Sequence, residues 1–167
     1  IYAYEKIFGL LSDISLVELS DVNKKLLRDL ASKAPGTFQH SLQVASLAES
    51  VLNKIGGNSL LARVGSLYHD IGKMYAPNYF TENQKNQNPH DELDEKQSAK
   101  IIIDHVNNGV KMAKEHMLPK SIISFIRTHH GTSRTEFFYR SYVKKHPDGE
   151  VDEKDFRYPG PKPSTKE

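Results

Sequence analysis

Apolar positions recur every three to four residues along most of this chain, the spacing of amphipathic helices packed on a shared core. Leu26, Leu27 and Leu30 form one such stripe in a segment that Asp21 can N-cap, which predicts a helix over 22–33. Pro35-Gly36 breaks the pattern. It resumes over 37–55, where His40, Val44, Leu47, Ala48 and Val51 fall at i, i+4, i+7, i+8 and i+11. Gly56-Gly57 ends that helix, and Asn58 caps the next, over 59–70, with Leu61, Val64 and Tyr68 facing inward. Residues 75–93 are rich in Asn, Gln, Pro and Asp and hold no apolar period, so they read as a long loop with at most a short helical turn. A long helix is predicted over 94–116, with Ile102, His105, Val106, Gly109 and Met112 on one face. Pro119 suits the first turn of a helix over 119–130, whose stripe is Ile122, Ile126, His129 and His130. A further helix is predicted over 133–145, followed by an extended, Pro-rich tail over 147–167. Residues 1–20 read as a short helix or extended entry with a turn around Ser12-Asp13. No β-alternation and no internal repeat appears, so the predicted class is all-α, one domain over 1–167.

Composition narrows the classes. The 167 residues suffice for one core, and no window approaches the apolar length of a membrane helix. A mean hydropathy of −0.59 fits a polar, water-exposed domain. The absence of Cys excludes disulfides, zinc ribbons, iron–sulfur clusters and thiol nucleophiles. A net charge of +2 offers no general surface for a nucleic-acid polymer. Charge is nevertheless uneven: residues 81–105 carry six acids against three bases, and residues 106–140 six bases against two acids. That basic stretch overlaps a His-rich segment and would suit a phosphate-bearing substrate, although solvated helix faces give the same imbalance. The first residue is Ile1 rather than Met and the end is Pro-rich, so the expectation is a domain of a longer polypeptide.

The chemistry concentrates in histidine. Five of the eight His, namely His40, His69, His105, His129 and His130, fall with Asp70 on inner stripes or inner ends of predicted helices. One such His is usually a satisfied core residue. Five with a carboxylate would be costly to bury without partners, and a metal cluster supplies partners. Imidazole and carboxylate suit Mn, Fe, Co, Ni or Zn. Adjacent residues on a helix point about 100° apart, so His69-Asp70 and His129-His130 cannot each clasp one ion as an i, i+4 pair does. At helix ends they can address two ions, with a carboxylate bridging. A binuclear centre with a bridging water as nucleophile is the reading.

The order His40, His69-Asp70 within His69-Asp70-Ile71-Gly72-Lys73, His105, His129-His130 resembles the HD superfamily of metal-dependent phosphohydrolases, in its HDIG-bearing branch. Further segments are similar to the cytosolic domain of the seven-transmembrane HD proteins. They include Phe8-Gly9-Leu10, Ala34-Pro35-Gly36-Thr37, Glu82-Asn83-Gln84, Asn88-Pro89-His90-Asp91, His129-His130-Gly131-Thr132 and Phe156-Arg157-Tyr158-Pro159-Gly160-Pro161. The resemblance covers nearly the whole chain. It implies a helical bundle around two divalent transition-metal ions, Mn or Fe, and hydrolysis of cyclic di-AMP to linear pApA. It also implies a bacterial membrane protein whose catalytic domain hangs in the cytosol. The implied ligands are His40, His69, Asp70, His105, His129 and His130, with Asp70 bridging. The family set has one further Asp, in a helix after the Tyr-Pro-Gly-Pro segment, and Glu167 precedes that helix. The chain is therefore expected to carry the set short of one ligand. His129-His130 is followed by Gly131-Thr132-Ser133, not by the Gly-Tyr-Pro of the HD-GYP cyclic di-GMP phosphodiesterases.

Around this centre, Lys73 is expected to contact a phosphate oxygen and act with Asp70 in catalysis; the other reading is a helix-terminal Lys facing the macrodipole. Arg134 is expected to bind substrate, with Arg127 and Arg140 as further phosphate candidates. Tyr79, Phe80, Phe137, Phe138 and Tyr139 either stack on adenine or pack the core. Asn83, Asn88 and His90 are read as ordering the loop, and His116 and His146 as surface residues. Two other functions stay open: a metal- and nucleotide-binding regulatory module without significant turnover, and a phosphohydrolase of other nucleotides. Metal identity and oligomeric state are left open by the sequence.

Overall fold

The computed structural model describes residues 11–147 and 149–165. Among the described residues there are seven α-helices and no strand, and the class is all-α. Phe8-Gly9-Leu10 and the rest of the first ten residues lie outside them. Helix α1 spans Asp13–Leu19, capped by Ser12, whose hydroxyl accepts from the Ser15 N–H. The expected turn at Ser12-Asp13 is thus a helix start. Helix α2 spans Lys25–Lys33 and begins later than its stripe predicts. The Asp21 carboxylate folds onto the Asn23 N–H at 2.9 Å and its amide at 3.0 Å, making a local turn in place of a cap. Leu26, Leu27 and Leu30 are buried as expected.

Pro35 opens helix α3, Pro35–Ile55, rather than breaking the chain for long; Ala34 alone separates the two helices. The stripe assigned to α3 is corrected. Its buried side is Thr37, Ser41, Ala45 and Leu52, while Leu47 and Val51 face solvent at 66% and 44% exposure. Apolar side chains lie on more than one side of this helix, and small residues were the ones chosen for the close contact. Helix α4, Ser59–Tyr68, forms the most extensive helix pair with α3 and is capped by Asn58 as predicted. It is buried over most of its length, and the Tyr68 hydroxyl donates to the Leu19 carbonyl at 2.9 Å.

The chain then tightens into a 3-10 turn, Ile71–Tyr75, seated on helix α5, Glu95–Glu115. Helix α5 starts at a capping box in which Asp94 accepts from the Gln97 N–H at 2.7 Å and the Gln97 side chain accepts from the Asp94 N–H at 3.3 Å. Asp94→Ala is expected to cost about 1 kcal/mol and lower the thermal midpoint by about 2–4 °C, read by circular dichroism. The expected loop between them carries three more 3-10 turns, Pro77–Tyr79, Thr81–Asn83 and Pro89–Glu92. His90 does order it, its Nε2 lying 2.9 Å from the Tyr79 carbonyl.

Helix α6, Lys120–Thr128, ends before His129, two residues short of its predicted end. Helix α7 spans Glu136–Lys145. Residues 133–135, expected within it, instead bind the tail: Thr135 N–H donates to Phe156 O at 2.8 Å and Tyr158 N–H to Ser133 O at 2.9 Å. The tail is thus part of the fold, with a 3-10 turn at Glu153–Phe156 and with Phe156 and Tyr158 buried.

Candidate metal centre

The end of α4 sets the centre. His69 is the last residue with helical backbone, and Asp70, at φ −108° and ψ 14°, starts the 3-10 turn. That change of winding turns the Asp70 carboxylate inward, where it is 2% exposed. His69 Nε2 lies 3.0 Å from its Oδ2, and His105 and His129 Nε2 lie 3.2 and 3.5 Å from its Oδ1. His105 comes from α5 and His129 from the C-terminal end of α6. His130 follows, and Tyr158 from the tail stacks on its ring at 4.0 Å and 11°. His40, on α3, is exposed at the rim, its ring 5.6 Å from that of His69.

The chain orients these rings itself. His69 Nδ1 lies 2.7 Å from Ser66 O and His129 Nδ1 lies 2.9 Å from Ile126 O, and His105 Nδ1 bonds Ile102 O in the same way. Carbonyls only accept, so each Nδ1 carries a proton. Each Nε2 is then left for the centre, the arrangement that a backbone carbonyl on the opposite ring nitrogen imposes on metal-binding His. The Nε2 atoms of His105 and His129 face each other at 3.3 Å. Two neutral imidazoles with Nδ1 protonated would set lone pairs against each other there. Asp70 Oδ1 is buried and receives no hydrogen bond.

The electrostatics agree. Burial pushes the Asp70 carboxyl up, but the imidazoles of His105, His129 and His69 outweigh it and hold the group well below the usual carboxylate range. Burial pulls the His69 imidazole down, and Asp70 beside it more than compensates, so its affinity for a proton is raised. Burial lowers His129 despite Asp70, and burial with the neighbouring imidazoles pushes His130 down to about 3. The result is a buried anion beside His129 and His130, which favour the neutral, ligand-competent form, and beside His69, which favours its proton, a pocket that attracts positive charge as a proton or as a metal.

Two groups of donor atoms, each within 4.8 Å of one another, could hold an ion: Asp70, His105, His129 and His130; and His40, His69 and Asp70. Asp70 belongs to both. The donor set fits a divalent transition metal.

Beside this cluster opens a cavity of about 580 Å³, lined among others by Lys73, Phe80, His105, His130, Arg134 and Phe138. Lys73 Nζ lies 2.9 Å from Asp70 Oδ2 and 2.8 Å from Glu82 Oε1. Burial acts against the Lys73 charge, and those two carboxylates outweigh it, raising its pKa. Arg134 reaches the cavity with its guanidinium held by Glu136 and Glu153 at 2.8 Å each and stacked 3.6 Å from the Tyr139 ring centroid. Arg127 and Arg140 are exposed and line no part of the cavity. Tyr79, Phe80, Phe137 and Phe138 line it, and Tyr139 packs on Phe156. His116 and His146 are on the surface, as expected. A second cleft, about 370 Å³ between α5 and the Glu153–Phe156 turn, contains none of the cluster residues.

The structure gathers the six candidate ligands into the two donor groups that meet at Asp70. The sequence pattern did not reveal Glu82 as the second partner of Lys73 or Tyr158 as the stacking partner of His130. Glu82 lies in a loop without periodicity, and Tyr158 acts across a gap in sequence that no local spacing can report.

An all-helical bundle that gathers His, His-Asp, His and His-His around one buried carboxylate defines an HD-type domain. The HD domain profile matches residues 37–165, and this chain belongs to that family. It is 50% identical over 165 residues to the cyclic-di-AMP phosphodiesterase PgpH of Listeria monocytogenes serotype 1/2a, covering 98% of this chain and 23% of that protein. It is 47% identical, with the same coverage, to the cyclic-di-AMP phosphodiesterase PgpH of Bacillus subtilis. The chain thus spans about a quarter of the length of these relatives. The crystal structure of the L. monocytogenes PgpH HD domain in complex with cyclic di-AMP superposes with a TM-score of 0.80 at 50% identity, covering 84% of this chain and 64% of that one.

Proposed function

We propose that this domain hydrolyses cyclic di-AMP to pApA, using two divalent transition-metal ions, Mn or Fe, held by His40, His69, Asp70, His105, His129 and His130. The observation that carries the reading is the sharing of Asp70 between two donor groups, one of which places His105 and His130 in the wall of the cavity. The likeness to the two PgpH proteins and to the complex with cyclic di-AMP supports the substrate. Bound ions of this kind supply Lewis-acid stabilisation of a phosphoryl oxygen and lower the pKa of water. The protein's part is orientation and charge. The Nδ1–carbonyl bonds fix three ligand rings, and Asp70 supplies the shared anion. Lys73 offsets the charge that builds on the phosphate during in-line displacement. Phe80 and Phe138 give the bases apolar walls, and Arg134 contributes to the phosphate-facing wall while tied to Glu136 and Glu153. No side chain is required as a nucleophile.

Residues 1–167 form one domain in this reading, the cytoplasmic part of a bacterial membrane protein. No helix of the described residues is long and apolar enough to cross a membrane. The test is hydrolysis of cyclic di-AMP and cyclic di-GMP in Mn²⁺ by this chain and by the full-length protein. Formation of pApA from cyclic di-AMP is the expected result. No cleavage of either dinucleotide, with Mn²⁺ shown to be bound, would replace the proposal with a regulatory binding module or a different nucleotide substrate.

A further inference from the structure

Lys73 is held from two sides. Its own turn supplies Asp70, three residues earlier, and the 3-10 turn Thr81–Asn83 supplies Glu82. Lysine carries a flexible four-carbon stem, so one partner on its own turn leaves it free to swing toward solvent. The second partner is itself anchored. Glu82 Oε1 accepts from the Thr37 hydroxyl at 2.9 Å, and Thr37 is fully buried. Asn83 clamps the same residue: its amide donates to Thr37 Oγ1 at 2.7 Å and its Oδ1 accepts from the Thr37 N–H at 3.2 Å.

Thr37 sits in the first turn of α3, a helix with no local side-chain cap. Asn83 therefore satisfies an orphan helix donor from 46 residues away. The backbones press together as well, because a Cβ at Gly36 would come within 1.9 Å of the Glu82 carbonyl oxygen. The Glu82 carboxylate is thus fixed to the helix that carries His40, and the same Oε1 that accepts from Thr37 also accepts from the ammonium beside Asp70.

We propose that Glu82 is a positioning residue that acts through Lys73, holding the ammonium between Asp70 and the cavity while Thr37 and Asn83 hold Glu82. The inference rests on the phosphodiesterase reading for the role of Lys73, and on the contacts of Glu82, Thr37 and Asn83 for the placement. Glu82 belongs to neither donor group, and although it lines the cavity, its Oε1 is already engaged by Lys73 and Thr37. Its effect on turnover is therefore present only when Lys73 is present.

The test is a double-mutant cycle on cyclic di-AMP hydrolysis in Mn²⁺, with an NMR readout of the lysine NH₃⁺ groups in the metal-free chain. Glu82→Ala is expected to lower kcat about tenfold with KM nearly unchanged, the scale of one hydrogen bond to a charged group. Glu82→Gln keeps the acceptor and is expected to restore most of that loss. In a Lys73→Ala background, Glu82→Ala is expected to change kcat by less than about twofold. The Lys73 NH₃⁺ signal, assigned by its loss in Lys73→Arg, is expected to vanish in Glu82→Ala and persist in Glu82→Gln. Additive losses in the double variant, or a Lys73 signal untouched by Glu82→Ala, would overturn the proposal. A wild-type chain that binds Mn²⁺ and cleaves nothing would instead overturn the phosphodiesterase reading, with the NMR arm still deciding whether Glu82 holds Lys73.

Discussion

Replacing Asp70 by Ala is expected to abolish metal binding and turnover together. Asp70 is the one residue common to both donor groups, so its loss opens both sites at once. It is also the anion that the Nε2 atoms of His69, His105 and His129 approach within 3.5 Å. Without it the centre is a set of neutral imidazoles with no charge to balance two dications. If the ions supply about 4 kcal/mol of transition-state stabilisation, turnover falls by about 10³-fold or more. Metal content by elemental analysis and hydrolysis of cyclic di-AMP are the two readouts. Asp70→Asn preserves the shape and removes the charge, and is expected to behave alike. Because the fold also draws on the hydrophobic cluster around Leu27, Leu30, Val64, Leu67 and Ile126, both variants are expected to remain helical by circular dichroism. Retained turnover in either would sink the binuclear reading.

Gly72→Ala is expected to be the most damaging small substitution in the chain. A Cβ there would lie 1.8 Å from the His105 carbonyl oxygen and 2.5 Å from the Gly109 nitrogen, both backbone atoms of α5. No side-chain rotation relieves that contact, so helix and turn must part. Overpacking of this kind costs about 3 kcal/mol, a fall of about 6–12 °C in thermal midpoint for a chain of this size. The same displacement carries His105 away from Asp70, so Mn²⁺ affinity is expected to drop as well. Gly149→Ala is the control: its Cβ meets only ordinary contacts near His146, and its midpoint is expected to stay within about 2 °C of wild type. A Gly72→Ala chain that melts with wild type and binds Mn²⁺ equally would contradict the close packing of turn on helix.

Gly72 illustrates what was legible and what was not. Its presence after His69-Asp70-Ile71 was visible as part of a motif, but the reason for a glycine lies on α5, more than thirty residues away. The helices containing Leu26, Leu27 and Leu30, or Ile122 and Ile126, could be read directly, because a stripe at helical spacing reports burial where large apolar residues occupy one face only. On α3 that logic failed. Leu47 and Val51 are exposed, and the small Thr37, Ser41 and Ala45 face inward. Periodicity ranks faces by hydrophobicity, whereas close helix packing selects for small size. Arg134 was readable as a cation near the site. That its charge is matched by Glu153 as well as by the neighbouring Glu136 depends on a tail that was expected to be merely extended.

The helical class, the cap at Asn58 and the order of six chemically matched side chains were legible in the residues alone. These are local properties: a cap is settled within three residues and a stripe within a few turns. Packing in three dimensions is what puts Asp70 in both donor groups, brings Glu82 to Lys73 while fastened to Thr37, and lays Tyr158 over His130. Those contacts join segments brought together by burial of the common core, and their geometry depends on the closeness of approach between helices, a property of the packed whole.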